Sequence, residues 1–179
     1  ELLVTIAVAA IALTLAIPGF TRMLAANRLA QTTNALVQSL TAARMQAVRA
    51  NQATIFCSNS TASNTTDALG NACGTAAGAV YNMEDGAVAN TPVRAAPSLP
   101  SDINLNTVNS VRYGGTGLAH ELDTFTPYSG LIADISSTDL SSNNHRCIYL
   151  TTGSAVNTCT LSAACPASRS SLPANAFCQ

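Results

Sequence analysis

Residues 2–20, LLVTIAVAAIALTLAIPGF, carry no charged side chain. A helix of that length approaches the roughly 20 residues required to cross bilayer hydrocarbon, so the run reads as a membrane segment or a signal sequence. A cleavable signal shows basic residues before its apolar stretch and a small-residue cleavage site after it. Here Glu1 precedes the run and the helical pattern continues past it, which favours a retained segment. Leu29, Leu36, Leu40, Ala43 and Ala47 recur at intervals of seven, four, three and four, which places them on one helical face. One helix is therefore expected from residue 1 to about residue 50. Pro18 removes a backbone donor inside it and Gly19 lowers helix propensity, predicting a kink or local melting around Ile17–Phe20.

The charges divide along the same boundary. All eight basic residues are Arg. Arg22, Arg28, Arg44 and Arg49 face only Glu1 in the first fifty residues, a balance of +3, whereas the remaining four arginines face eight acids, a balance of −4. An acidic head argues against general polyanion binding, because non-specific affinity for nucleic acid comes from clustered basic groups that release phosphate counterions. At 179 residues the chain has room for one ordinary domain and one extra element. The expected division is 1–24 as an apolar helix, 25–50 as its amphipathic half, and 51–179 as a head.

Six cysteines, Cys57, Cys73, Cys147, Cys159, Cys165 and Cys178, all follow residue 50. An even count confined to one part of a chain reads as disulfides formed in an oxidising compartment. A zinc site is the competing reading, but no C-x-x-C pair exists and only His120 and His145 could assist. Proximity in sequence favours the pairs Cys57–Cys73, Cys147–Cys159 and Cys165–Cys178.

After Ala50 short β-type runs alternate with turn residues: Thr54–Cys57, Ala79–Met83, Ser110–Tyr113, Thr124–Thr126 and Cys147–Thr151. They suggest a small antiparallel sheet. The intervening stretch SNSTASNTTDALGNACGTAAG is too rich in Gly, Ser, Asn and Thr for regular structure, and the sequence after Cys159 reads as irregular, held only by cross-links.

These pieces resemble a family. Residues 1–22 are similar to the N-terminal helix of type IV pilins and type II secretion pseudopilins, with a leading Glu, an unbroken apolar run and a Pro-Gly-Phe break. In that family about four residues precede the Glu, beginning with a methylated Phe. The head resembles the GspH/FimT branch: Ala43-Arg44-Met45-Gln46-Ala47-Val48-Arg49 ends the helix, then come Ile55-Phe56-Cys57, Cys73, Ala79-Val80-Tyr81 and the turn Glu84-Asp85-Gly86. The similarity runs on through Arg112-Tyr113 and Gly117 to Cys147-Ile148-Tyr149-Leu150 and Gly153, and ends near Cys159. It implies the Cys57–Cys73 pairing. DNA-binding members of the branch carry an arginine-rich Gly-Arg-x-Arg segment in the last strand, where this chain has Gly153-Ser154-Ala155-Val156, so an uptake role is weakened.

The fold class implied is α+β: a type IV pilin fold, with a long N-terminal helix packed against a disulfide-stapled antiparallel sheet. The resemblance assigns assembly roles to Glu1, Pro18 and Gly19, with Glu1 pairing with the N-terminal amine of a neighbouring subunit. An ionised carboxylate beside so long an apolar run is costly unless paired or protonated. The competing reading is an ordinary acid in the headgroup layer. Implied partners are copies of the chain in a helical filament, the inner membrane before assembly, and pilus or secretion machinery. The resemblance places the chain in the bacterial inner membrane and then in a cell-surface filament. The alternatives are a minor pilin or pseudopilin at a filament tip and, from another class, a DNA-binding pilin for transformation.

Enzyme signatures fail one by one, and neither catalysis nor a cofactor is expected. His120-Glu121-Leu122-Asp123-Thr124 begins like H-E-x-x-H but lacks the second His, and Gly114-Gly115-Thr116-Gly117 lacks the Lys of a P-loop. No G-x-S-x-G elbow is present. Asn59-Ser60-Thr61 and Asn64-Thr65-Thr66 are formal glycosylation sequons, a pattern common in Asn/Thr-rich loops.

Overall fold

Helix α1 runs unbroken from Leu2 to Ala50, in a computed structural model that describes residues 2–66, 68–82, 92–174 and 176–179, with residues 7–18 described by their backbone alone. The local melting expected at Ile17–Phe20 does not occur, since the helix passes through Pro18 and Gly19. The stripe read from the spacing is the packed face: Leu29, Leu36, Leu40, Ala43 and Ala47 are all buried. Thr32, Thr33 and Ser39 share that face. Thr33 and Ser39 return their hydroxyls to the carbonyls of Leu29 and Ala35, which satisfies polar groups that would otherwise be costly to bury.

The head contains two sheets rather than the single sheet expected. The first has the order β3-β2-β1-β5-β6, built from β1 (Thr54–Phe56), β2 (Val80–Asn82), β3 (Pro92–Arg94), β5 (Val111–Tyr113) and β6 (Ala119–His120). The second has the order β10-β9-β8-β7-β4, from β4 (Ile103–Val108), β7 (Gly130–Ser137), β8 (His145–Thr151), β9 (Ala155–Leu161) and β10 (Phe177–Cys178). All described pairings are antiparallel. α1 packs against strands of both sheets. Residues 83–91, including the turn expected at Glu84-Asp85-Gly86, lie outside the described residues.

Each sheet is covered on both faces. Inward-facing Phe56, Val80, Val111, Tyr113, Ile132, Ile148 and Leu150 join α1 in the main core. On the outer face of the first sheet, Ile55 and Ala79 pack with Leu69, Cys57 and Cys73 from the loop that folds over them. That loop holds a short helix, α2 (Thr61–Asn64), and a 3-10 turn at Ala68–Ala72, so it is more regular than its composition suggests. On the outer face of the second sheet, Leu131, Cys147, Tyr149, Cys159 and Leu161 pack under Cys165, Leu172, Ala176 and Cys178 of the C-terminal tail. Alternation along β8 explains the split, because Cys147 and Tyr149 point one way and Ile148 and Leu150 the other.

The sheets meet at Gly153, in the turn between β8 and β9. Its N–H donates to the Tyr128 carbonyl and its carbonyl accepts from the Ala119 N–H, both at 2.8 Å. The backbone there is left-handed, with φ +68°, and a Cβ would meet the Ala119 carbonyl oxygen at 2.6 Å, so glycine is required on both counts.

Two further sequence expectations are corrected. Thr124–Thr126 is a loop, because Asp123 adopts a positive φ and the Thr126 N–H is taken by the Thr124 hydroxyl at 3.2 Å. The tail after Cys159 is not wholly irregular, since β9 continues to Leu161 and β10 pairs with it.

Candidate assembly surface

The long helix presents two kinds of side chain. From Ala25 onward, one of its faces is buried against the head. Before that point the described side chains are uncovered and mostly apolar, with Thr5, Thr21 and Arg22 among them: Leu2, Leu3, Val4 and Ile6 are 61–80% exposed, and Phe20 and Met23 are 62% and 64% exposed. Large apolar side chains exposed together, as at Leu2–Val4, mark an interaction site rather than ordinary solvent-facing surface. Among the described residues no helix is long and apolar enough to cross a membrane. Glu1 lies outside the described residues, as does the side chain of Pro18. Among the described residues nothing lies within 4 Å of the place of a Cβ on Gly19, so packing against them does not demand glycine there.

Polar contacts fix the helix to the head. Arg28 Nη1 lies 3.1 Å from Asp102 Oδ1, with Asp102 only 6% exposed. Arg44 Nη1 donates to the Ser154 carbonyl at 3.3 Å, and the Thr54 hydroxyl donates to the Ala43 carbonyl at 2.8 Å. Sequence reasoning did not single out the Arg28–Asp102 pair, because 74 residues separate its members and no local pattern announces it.

All six cysteines are paired. Cys57–Cys73 is as expected, but the other bridges are Cys147–Cys165 and Cys159–Cys178. Proximity in sequence failed because Cys147 and Cys159 are cross-strand partners whose shared face is covered by the returning tail, and each bonds to a tail cysteine instead. The loop between Cys57 and Cys73 is ordered by Asn64, which is fully buried. Its Oδ1 accepts from the Ser58 N–H at 2.8 Å, and its Nδ2 donates to the carbonyls of Ser58 at 3.0 Å and Gly74 at 2.9 Å. Asn59 is likewise engaged, donating to the Leu105 carbonyl and accepting from the Val108 N–H. Both sequon asparagines therefore serve the fold.

The motifs of chemical interest do not assemble. His120 ends β6, and its Nδ1 contacts the Phe125 carbonyl oxygen at 2.9 Å, so His120–Thr124 is strand and turn rather than a metal-binding helix. Gly114 and Gly117 close the turn between β5 and β6, with the Gly117 N–H donating to the Gly114 carbonyl at 2.8 Å. An open cavity of about 400 Å³ lies between that turn and the 123–125 loop, lined by Arg112, His120 and Phe125 among others. Burial pushes the phenols of Tyr113, Tyr128 and Tyr149 up to about 12.

A long N-terminal helix, apolar and uncovered at its start and packed along its second half on antiparallel sheets with stapled loops, defines the pilin-like α+β class. The family model of type II transport protein GspH matches residues 32–154, from the packed half of α1 to the β8–β9 turn. The match covers more than half of the chain, which belongs to the GspH family. Membership carries a pilin- or pseudopilin-type role. Comparison with the curated proteins and with the solved structures gives no match. Cys159, Cys165 and Cys178 lie beyond the matched segment, so of the three bridges Cys57–Cys73 alone falls wholly within it.

Proposed function

We propose that the chain is a non-catalytic structural subunit of a type IV pilus, polymerising into an extracellular filament through its N-terminal helix. The observation that carries this reading is the contrast along α1: uncovered and mostly apolar where described up to Leu24, packed against the head from Ala25. Apolar surface gains about 25 cal/mol per Å² on leaving water. A bilayer covers the segment before assembly, and the helices of neighbouring subunits cover it afterwards. In this reading the subunit waits in the bacterial inner membrane, engages the assembly machinery there, and ends at the cell surface beside copies of itself. Glu1 pairs with a neighbour's N-terminal amine, since a carboxylate inside such a core needs a cationic partner.

A second reading, a pseudopilin or minor pilin at a filament tip, draws on the match to a type II transport protein. Substituting Glu1→Ala or Glu1→Gln in the native host tests the first. Subunits should remain in the membrane with all bridges formed while filaments vanish or become sparse. Normal filament number and length in both variants would overturn the role of Glu1. Full-length filaments in a strain lacking the subunit altogether, with secretion lost, would select the second reading.

A further inference from the structure

Three side chains of metal-ligating type, Asp134, His145 and Cys165, converge on the outer face of the second sheet, and Cys147 adjoins them through its bridge to Cys165. Asp134 on β7 stands opposite Cys147 on β8, and His145 lies two residues before Cys147. Asp134 Oδ1 and His145 Nδ1 are 2.7 Å apart, with Asp134 5% and His145 14% exposed at the side chain. The tail lays Cys165 over them, bonded to Cys147, and the Cys165 N–H donates to Asp134 Oδ2 at 3.2 Å. The donor atoms of Asp134, His145 and Cys165 all lie within 4.8 Å of one another, and no other such group of three occurs among the described residues. Cys147–Cys165 shares the apolar cluster of Leu131, Tyr149 and Leu161 with Cys159–Cys178, but among the described residues Cys165 alone of the six cysteines belongs to such a group.

We propose that this cluster is a zinc site of the reduced chain, which the Cys147–Cys165 bridge closes on oxidation. Two thiolates, one imidazole and one carboxylate make a four-ligand set of the type tetrahedral Zn²⁺ takes. Donors in such a site sit about 3.3–3.8 Å apart, given bonds of about 2.0–2.3 Å. The carboxylate–imidazole contact therefore opens by less than about 1 Å, and the two sulfurs separate once their bond is broken. Reduction by a dithiol transfers two electrons and two protons to Cys147 and Cys165, and the dithiol leaves as its own disulfide. Zinc then displaces the two thiol protons, which pass to the solvent. Metal and bridge exclude each other, because both use the same sulfurs. Zinc would hold β7, β8 and the tail together before the bridge forms, since metal binding is coupled to ordering of the ligating segments.

The test uses the full chain in detergent micelles, reduced with a dithiol that is then removed without oxygen. Co²⁺ serves as the spectroscopic probe. One equivalent should bind, giving the visible band of tetrahedral cobalt and a sulfur-to-cobalt charge-transfer band, both abolished by Zn²⁺. His145→Ala and Asp134→Asn should each weaken binding by at least about tenfold, and the Cys57→Ser/Cys73→Ser double variant should retain it. Zn²⁺ should also protect Cys147 and Cys165 of the wild-type chain from iodoacetamide while Cys57 and Cys73 react. Uniform alkylation of all six thiols in the presence of Zn²⁺, no cobalt bands in the reduced chain, or affinity unchanged in the His145 and Asp134 variants would each overturn the proposal. So would equal binding by the oxidised chain.

Discussion

Cys147 and Cys159 face each other directly across β8 and β9, yet neither bonds to the other. Both lie on the outer face of the second sheet, and the tail that folds over that face supplies Cys165 to one and Cys178 to the other. The bridges thus fasten a lid of low hydrophobicity to a sheet that would otherwise expose Tyr149 and Leu131. Chymotryptic cleavage after Tyr149, Leu161 and Phe177 separates these four cysteines. Non-reducing peptide mapping should recover Cys147 linked to Cys165 and Cys159 linked to Cys178. A peptide linking Cys147 to Cys159 would contradict the arrangement.

The helix was legible because its signal is long: apolar residues at helical spacing bury the same face over many turns, and Leu29 through Ala47 announce it. The first sheet was legible in β1, β2 and β5, whose short runs are bounded by turn residues. β7 was missed because it is buried from Leu131 to Ser137 and shows no alternation of polar and apolar residues. β9 was missed because Asn157, Thr158 and Thr160 break up its apolar residues, and the segment gains strand character only from its pairing with β8 and β10. Two sheets could not be told from one, because their separation is fixed by long-range contacts such as that of Gly153 with Ala119. The Asp134–His145 pair depends on the register of β7 against β8, which no spacing in the sequence reports.

Asn64 should be among the least replaceable residues of the head. Its amide makes three hydrogen bonds in a site sealed from water, and removal strands a backbone donor and two carbonyls. Asn64→Ala is expected to destabilise the chain by about 2–4 kcal/mol, measured by denaturant unfolding with the bridges intact. A loss below about 0.5 kcal/mol would show that water replaces the amide at no cost.

Arg28 and Asp102 should behave asymmetrically. Arg28 is half-exposed and Asp102 is buried, and Asp102 Oδ2 has no hydrogen-bond partner among the described residues. Arg28→Ala therefore leaves a buried charge without its cation, at about 1–3 kcal/mol. Adding Asp102→Asn to that variant should recover part of the loss. Additive losses in the double variant would show that the pair is not coupled.

Duplex DNA should bind weakly. Arg28, Arg44, Arg94 and Arg146 are engaged with Asp102, the Ser154 carbonyl, Gln38 and the Asn143 carbonyl respectively, and the residues after position 50 carry a balance of −4. Fluorescence anisotropy with the full chain in detergent should show no saturation at micromolar protein and physiological salt. A micromolar or tighter Kd with a steep salt dependence would reverse this expectation.

Alkaline pH should unfold the head through its tyrosines. Burial raises Tyr113 from 10.0 to about 12, opposed in part by the positive charge of Arg44. Burial also dominates at Tyr128, where a hydrogen bond with Asn109 pulls down and Glu121 adds a smaller upward push, and at Tyr149, where Asp134 adds one. A group whose folded value lies above its unfolded value binds its proton more tightly when folded. Its contribution to stability is complete below about pH 10 and is lost as pH rises through about 12. Denaturant midpoints should therefore hold steady up to pH 9 and fall between pH 10 and 12. Phenolate absorbance from these three residues should lag behind that of a free tyrosine until the chain unfolds. Arg44→Ala removes the charge that favours the Tyr113 phenolate, so its ionisation should move to still higher pH. A midpoint that stays constant through pH 12, or full phenolate absorbance at pH 10.5 in a folded chain, would mean that these phenols are not sealed from water as their burial requires.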